Sequence, residues 1–233
     1  MNLLDTPLPP ALAVLGWALL LPALAASLYA VRRGFLPDAA QQHAFLAGMV
    51  CVALLWTLQV RVGQGAGHGA DHGAGLGMLG AALYVLLFGA ARGMLGLLLA
   101  LALHHALAGG HASGLGLAGL LFAVLPAVTT GGLQRALANL LPKNLFVFII
   151  GNGLFVTLTA TALTSVALLL VSQALQAGPA AAGVADRLGY ALLLAWGEAL
   201  ASGMLFSALV IFTPGLVRTY REDLYLPPRG ARR

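Results

Sequence analysis

Charge is the first thing this chain lacks. Charged residues occupy 8% of its 233 positions, against roughly 25% in a soluble domain. A water-facing surface cannot be covered at that density, which excludes an ordinary soluble fold. Cysteine is nearly absent too. Cys51 stands alone inside an apolar run, so no intrachain disulfide framework and no cysteine-based metal site can form. Lysine occurs once, at Lys143. Signatures of catalysis and nucleotide binding are missing as well: the chain has no Walker A loop, no HExxH and no CxxC. Ser113, preceded by His111-Ala112 in a loop, lacks the glycine-flanked setting of an intramembrane serine protease. The chain is read as a non-enzyme.

What remains is hydrocarbon. Hydrophobic residues make up 60% of the chain, in runs long enough to span a bilayer at about 20 residues each. The alternation of a β-barrel is absent, and helices satisfy their own backbone in lipid. The expected fold class is therefore an all-α integral membrane protein, a polytopic bundle of about seven transmembrane helices. A transmembrane domain of residues 1–213 is expected, its last span closed by Pro214, then a basic tail of residues 214–233. The net charge of +5 is concentrated in that tail, which suits orientation and lipid contact rather than nucleic-acid binding. Asp5 is the only charge before the first span, so the opening does not read as a positively charged secretory signal.

The predicted spans are 11–31, 44–60, 76–90, 93–108, 114–130, 144–175 and 188–212, with a tight turn at Arg92 joining the third and fourth. Treating 76–108 as one helix gives about 50 Å of length against a hydrocarbon core of about 30 Å. Charge discriminates further. Seven spans put Arg32, Arg33, Arg92, Arg135, Lys143, Arg218, Arg221, Arg229, Arg232 and Arg233 on one side, leaving Arg61 and Arg187 on the other. With the basic side in the cytoplasm, the N-terminus is outside and the C-terminus inside. The sixth segment is over-long, and Gly151-Asn152-Gly153 leaves open whether it breaks there.

Five of the six histidines then face outward. His68 and His72 lie in a loop running from Gly63 to Gly77, too glycine-rich for stable helix. His111 lies at the next outer loop, near the adjacent pair His104 and His105. Neutral imidazole is a common ligand for Zn, Cu, Ni and Co, so His68, His72 and His111 are candidate metal ligands. The competing reading is that histidine simply occurs in polar loops. His104 and His105 point about 100° apart on a helix, so they read as interfacial residues rather than a pair on one ion. His43, on the inner side, reads as a helix-end residue.

Glu198 lies within the last span, where an acid costs several kcal/mol unless it is paired. Asn152 and the threonines Thr157, Thr159, Thr161 and Thr164 are its candidate partners, and both structural and transport roles are open. Ala11, Gly16, Ala23, Ala26 and Ala30 form a small-residue stripe on the first span, suited to close packing with another membrane helix.

Several stretches resemble the CbiM-like permease family, the substrate-binding membrane component of energy-coupling-factor importers for cobalt and nickel. They are Met1-Asn2-Leu3-Leu4, Leu54-Leu55-Trp56, Met78-Leu79-Gly80, Phe88-Gly89, Val124-Leu125-Pro126, Leu141-Pro142-Lys143-Asn144-Leu145-Phe146-Val147-Phe148, Glu198 to Met204, and Tyr220 to Leu226. The resemblance implies six to seven spans with an outer N-terminus in a bacterial inner membrane. It also implies Co²⁺ or Ni²⁺ as transported substrate, no covalently bound cofactor, and a transmembrane coupling protein with cytoplasmic ATPase subunits as partners. Better-known members bind the ion through the N-terminal amine, a histidine at the second position and a histidine before a Leu-Leu-Gly run. Here Asn2 and Gly77 occupy those two places. The Met1 amine and the Asn2 amide nitrogen carry over, with His68 and His72 a few residues upstream of Gly77. The alternative function is a non-transporting assembly or accessory protein of the membrane.

Sidedness is directly testable. In a Cys51→Ser background, a membrane-impermeant maleimide applied outside should label His68→Cys and His111→Cys in intact cells. Labelling of both only after permeabilisation overturns the assignment.

Overall fold

The computed structural model describes residues 8–32, 34–36, 38–64, 80–109, 111–142, 144–175 and 184–220, and every regular element among them is helical. The helices are α1 (Pro10–Val31), α2 (Ala39–Gln64), α3 (Ala81–Phe88), α4 (Ala90–Ala108), α5 (Ala112–Leu140), α6 (Leu145–Leu175) and α7 (Val184–Phe212). Six of them contain stretches long and apolar enough to cross a bilayer, α3 being the exception. The chain is a polytopic helical membrane protein, the fold class expected from its composition.

The differences from the predicted spans have local causes. Helix α2 starts at Ala39 and runs to Gln64, past the expected Gly63 loop boundary. Helix α5 continues to Leu140 rather than ending at Thr130. The turn after α3 falls at Gly89, whose φ of 82° suits glycine, and not at Arg92, which is helical. Of the segment 76–90, only Ala81–Phe88 forms α3 among the described residues, about 12 Å of helix. Residues 144–175 do not break at Gly151. The chain widens there into a π turn over Gly151–Val156 and continues as one rod. A second π turn, Leu120–Val124, precedes Pro126 in α5. Proline cannot donate to the carbonyl four residues back, and the wide turn absorbs that mismatch without exposing the backbone to lipid.

Tertiary hydrogen bonds sort the segments to the two ends of the bundle. At one end the Leu8 amide donates to Ser113 Oγ at 3.3 Å, joining the start of α1 to the start of α5. At the other end Arg92 donates through Nε to Phe35 O and through Nη2 to Gly34 O. There too Gln41 donates to Gly215 O, and Arg218 N–H to Leu87 O at 2.8 Å. The Phe148 and Tyr220 rings, 5.4 Å apart, bring the start of α6 to the same end. Arg32, Arg92, Arg135 and Arg218 therefore gather at the end opposite Leu8, Ser113 and His111. Arg33, Lys143, Arg221, Arg229, Arg232 and Arg233 lie outside the described residues.

Packing relies on missing side chains. A Cβ on Gly16 would sit 2.7 Å from Leu117 N, and one on Gly116 2.7 Å from Trp17 N, so α1 and α5 cross backbone to backbone. Gly93 likewise lets α4 lie against the Val85 backbone of α3. This divides the small-residue stripe of α1. Gly16 is buried within the chain and Ala23 packs on the core, while Ala11, Ala26 and Ala30 remain exposed. Gly16→Val and Gly116→Val should each lower the stability of the purified protein by about 1–3 kcal/mol, the usual range for overpacking. A thermal melt in detergent reads this, with the exposed Ala26→Val as the unaffected control.

Candidate functional site

Helix α3 is a half-length helix that begins inside the bundle. Seven of its eight residues, all but Leu87, are buried. Helix formation there poses a problem, because the first N–H groups of any helix lack intrahelical partners and lipid offers none. Gly80 precedes the helix at φ 87°, a left-handed conformation that favours glycine, and has no side chain with which to cap it. The acceptor comes from α7 instead: the Gly80 amide donates to Glu198 Oε1 at 3.0 Å.

Glu198 is 4% exposed, and Thr161 of α6 is its second hydrogen-bond partner. Small Ala195 and Ala199 and the hydroxyls of Thr157, Thr164, Ser165 and Ser202 are buried in the same region of α6 and α7. The Thr157 and Thr164 hydroxyls donate to carbonyls of their own helix, Asn152 O and Ala160 O. Asn152 also bonds locally, donating to Phe148 O at 3.0 Å within α6. Through its hydrogen bonds to Gly80 and Thr161, Glu198 links the start of α3 to α6 and α7.

The far end of α3 is tied down as well. The Thr219 hydroxyl donates to Leu86 O and the Arg218 amide to Leu87 O, both from the segment after α7. Midway, the Tyr84 hydroxyl donates to Phe45 O of α2 at 2.9 Å. Phe35, Phe45, Tyr84 and Phe88 stack at 4.9–5.5 Å between ring centroids around that bond.

The sequence-predicted metal ligands distribute unevenly. Met1, Asn2, His68 and His72, with Gly77, lie outside the described residues. His111 is exposed at the cap of the short 3₁₀ turn that opens α5. The Leu8–Ser113 bond brings the base of the N-terminal segment to that turn. His104 is buried edge-on against Trp56 near the end of α4, and His105 is half-buried. Among the described residues no three His, Cys, Asp or Glu side chains converge as a metal site would require. Thr161 was a sequence candidate for Glu198. The Gly80 amide was not, because a backbone donor leaves no trace in residue identity; the only signal was a glycine directly before an apolar run.

The family described as CbiM, cobalt uptake substrate-specific transmembrane region, matches residues 2–216. No curated protein and no solved structure matches the chain.

The hydrogen bond from Thr161 makes a contrast testable within one helix. Thr161→Val should cost about 1–3 kcal/mol by stripping a partner from a buried carboxylate. Thr159→Val, at an exposed position, should leave the melting temperature unchanged.

Proposed function

This chain belongs to the CbiM family of cobalt uptake substrate-specific transmembrane regions, and we propose that it is the capture subunit of an energy-coupling-factor importer for Co²⁺ or Ni²⁺. The match over residues 2–216 carries the reading. It identifies a membrane component of transport and not a class of enzyme. The chemistry of the chain agrees: nitrogen donors suit borderline transition metals better than Mg²⁺ or Ca²⁺.

The proposed donor set is the Met1 amine, the Asn2 amide nitrogen, His68 and His72, with His111 as a further candidate. Each ligand must lose or lack a proton to bind, so capture would strengthen as the amine and imidazoles deprotonate. The ion is the substrate here, held from outside and released inside. A transmembrane coupling protein and cytoplasmic ATPases would supply the reorientation. The clustering of Arg32, Arg92, Arg135 and Arg218 at the end opposite His111 supports an N-out, C-in orientation in a bacterial inner membrane. The exposed Ala11, Ala26 and Ala30 of α1 offer a surface for the coupling protein.

Protein purified with its native N-terminus should retain Co or Ni by elemental analysis, and a tag ahead of Met1 should abolish retention. His68→Ala combined with His72→Ala should weaken apparent uptake affinity by more than roughly tenfold, since even outer-shell partners of a bound metal are worth that much. Wild-type uptake by the double variant eliminates those two residues as ligands.

A further inference from the structure

We infer that Glu198 is a positioning residue for ion capture, acting on the substrate side of the molecule through the Gly80 amide. The inference deepens the proposed function and rests on it for the identity of the ion. Its structural basis is separate.

Three observations converge on one carboxylate. First, α3 begins within the bundle at a residue that cannot cap itself, and the first donor of that start is satisfied by Glu198 at 3.0 Å. Second, α3 cannot set its own axial position by sliding. Its other end is bonded to Thr219 and Arg218, and its middle to Phe45. Third, Glu198 itself is braced by Thr161 on the neighbouring helix and is 4% exposed. The place where the chain enters α3 is thus dictated by α6 and α7 through two hydrogen bonds. Gly80 follows directly on the stretch 63–79, in which the proposed donors His68 and His72 stand. Gly80 is the first described residue after those donors, and its amide is bonded to Glu198.

The essential property is reach rather than charge. A glutamine at 198 keeps an oxygen acceptor for Gly80 N–H at the same distance, and its NH₂ can donate to the Thr161 oxygen. An aspartate keeps the charge but is one methylene short. The pair separates the two possibilities, and both side chains are small changes to a buried site.

The test uses full-length protein with its native N-terminus in lipid nanodiscs, titrated with Co²⁺ and with Ni²⁺. Backbone hydrogen exchange at Gly80 is followed in the same samples. Glu198→Gln should bind within about twofold of wild type. Glu198→Asp should weaken binding about tenfold, the loss expected when one buried hydrogen bond is left unmade. Gly80 exchange should rise in Glu198→Asp alone. Equal affinity and equal exchange in all three proteins overturns the inference. So does an Asp variant that matches wild type while the Gln variant fails, because charge would then be the property required. If wild type binds neither ion, the proposed function falls. The exchange measurement then decides the positioning role by itself: fast Gly80 exchange in the Asp variant alone upholds it, and uniform protection rejects it.

Discussion

A helix that starts inside a bundle of membrane helices must find an acceptor for its first amide, and in this chain the acceptor is a carboxyl group on another helix. The Gly80–Glu198 bond resolves two costs at once. An unpaired amide and an unpaired acid would each be expensive in lipid, and joined they satisfy one another. Much of the surrounding architecture follows from keeping that pair together. Thr161 braces the acid, Ala195 and Ala199 keep α7 slim beside it, and Gly93 lets α4 close over the flank of α3. A buried acid of this kind is retained only where geometry supplies its partners, which is why an isolated substitution in the neighbourhood is felt.

The bundle therefore combines two sorts of interaction with different ranges. Long helices cross and pack through glycine, as Gly16 does on Gly116, where dispersion between backbones replaces the hydrophobic effect that lipid cannot provide. The short helix is held by directional bonds at its head, middle and tail. The first sort tolerates drift along a helix; the second does not. The element that follows the stretch containing the proposed donors His68 and His72 is the one whose position is specified bond by bond.

Sequence alone disclosed the class and most of the long helices, since both are written in local composition and periodicity. It placed the turn before α4 at Arg92, where charge suggested an interface, whereas the backbone turns at Gly89, where a positive φ is easiest. It took the small residues of α1 as one outward stripe, yet Gly16 faces inward because its partner glycine lies a hundred residues away at Gly116. Residues 76–90 read as a span by hydropathy, but a helix too short to cross, walled in on nearly every side, is just as apolar. The acid at Glu198 was conspicuous and its hydroxyl partner foreseeable. Its bond to Gly80 was not, because the two are separated by 118 positions and the donor is main chain.

The wide turn at Gly151–Val156 accommodates one residue more than an α-helical turn does, which offsets the two halves of α6 by about 100°. Each half can thereby choose its own seam. Phe148 stacks on Phe206 and Tyr220, while further along the same rod Thr161 reaches Glu198. Deleting a single residue in that stretch would leave a more regular helix, and would swing one of those two contacts out toward the acyl chains.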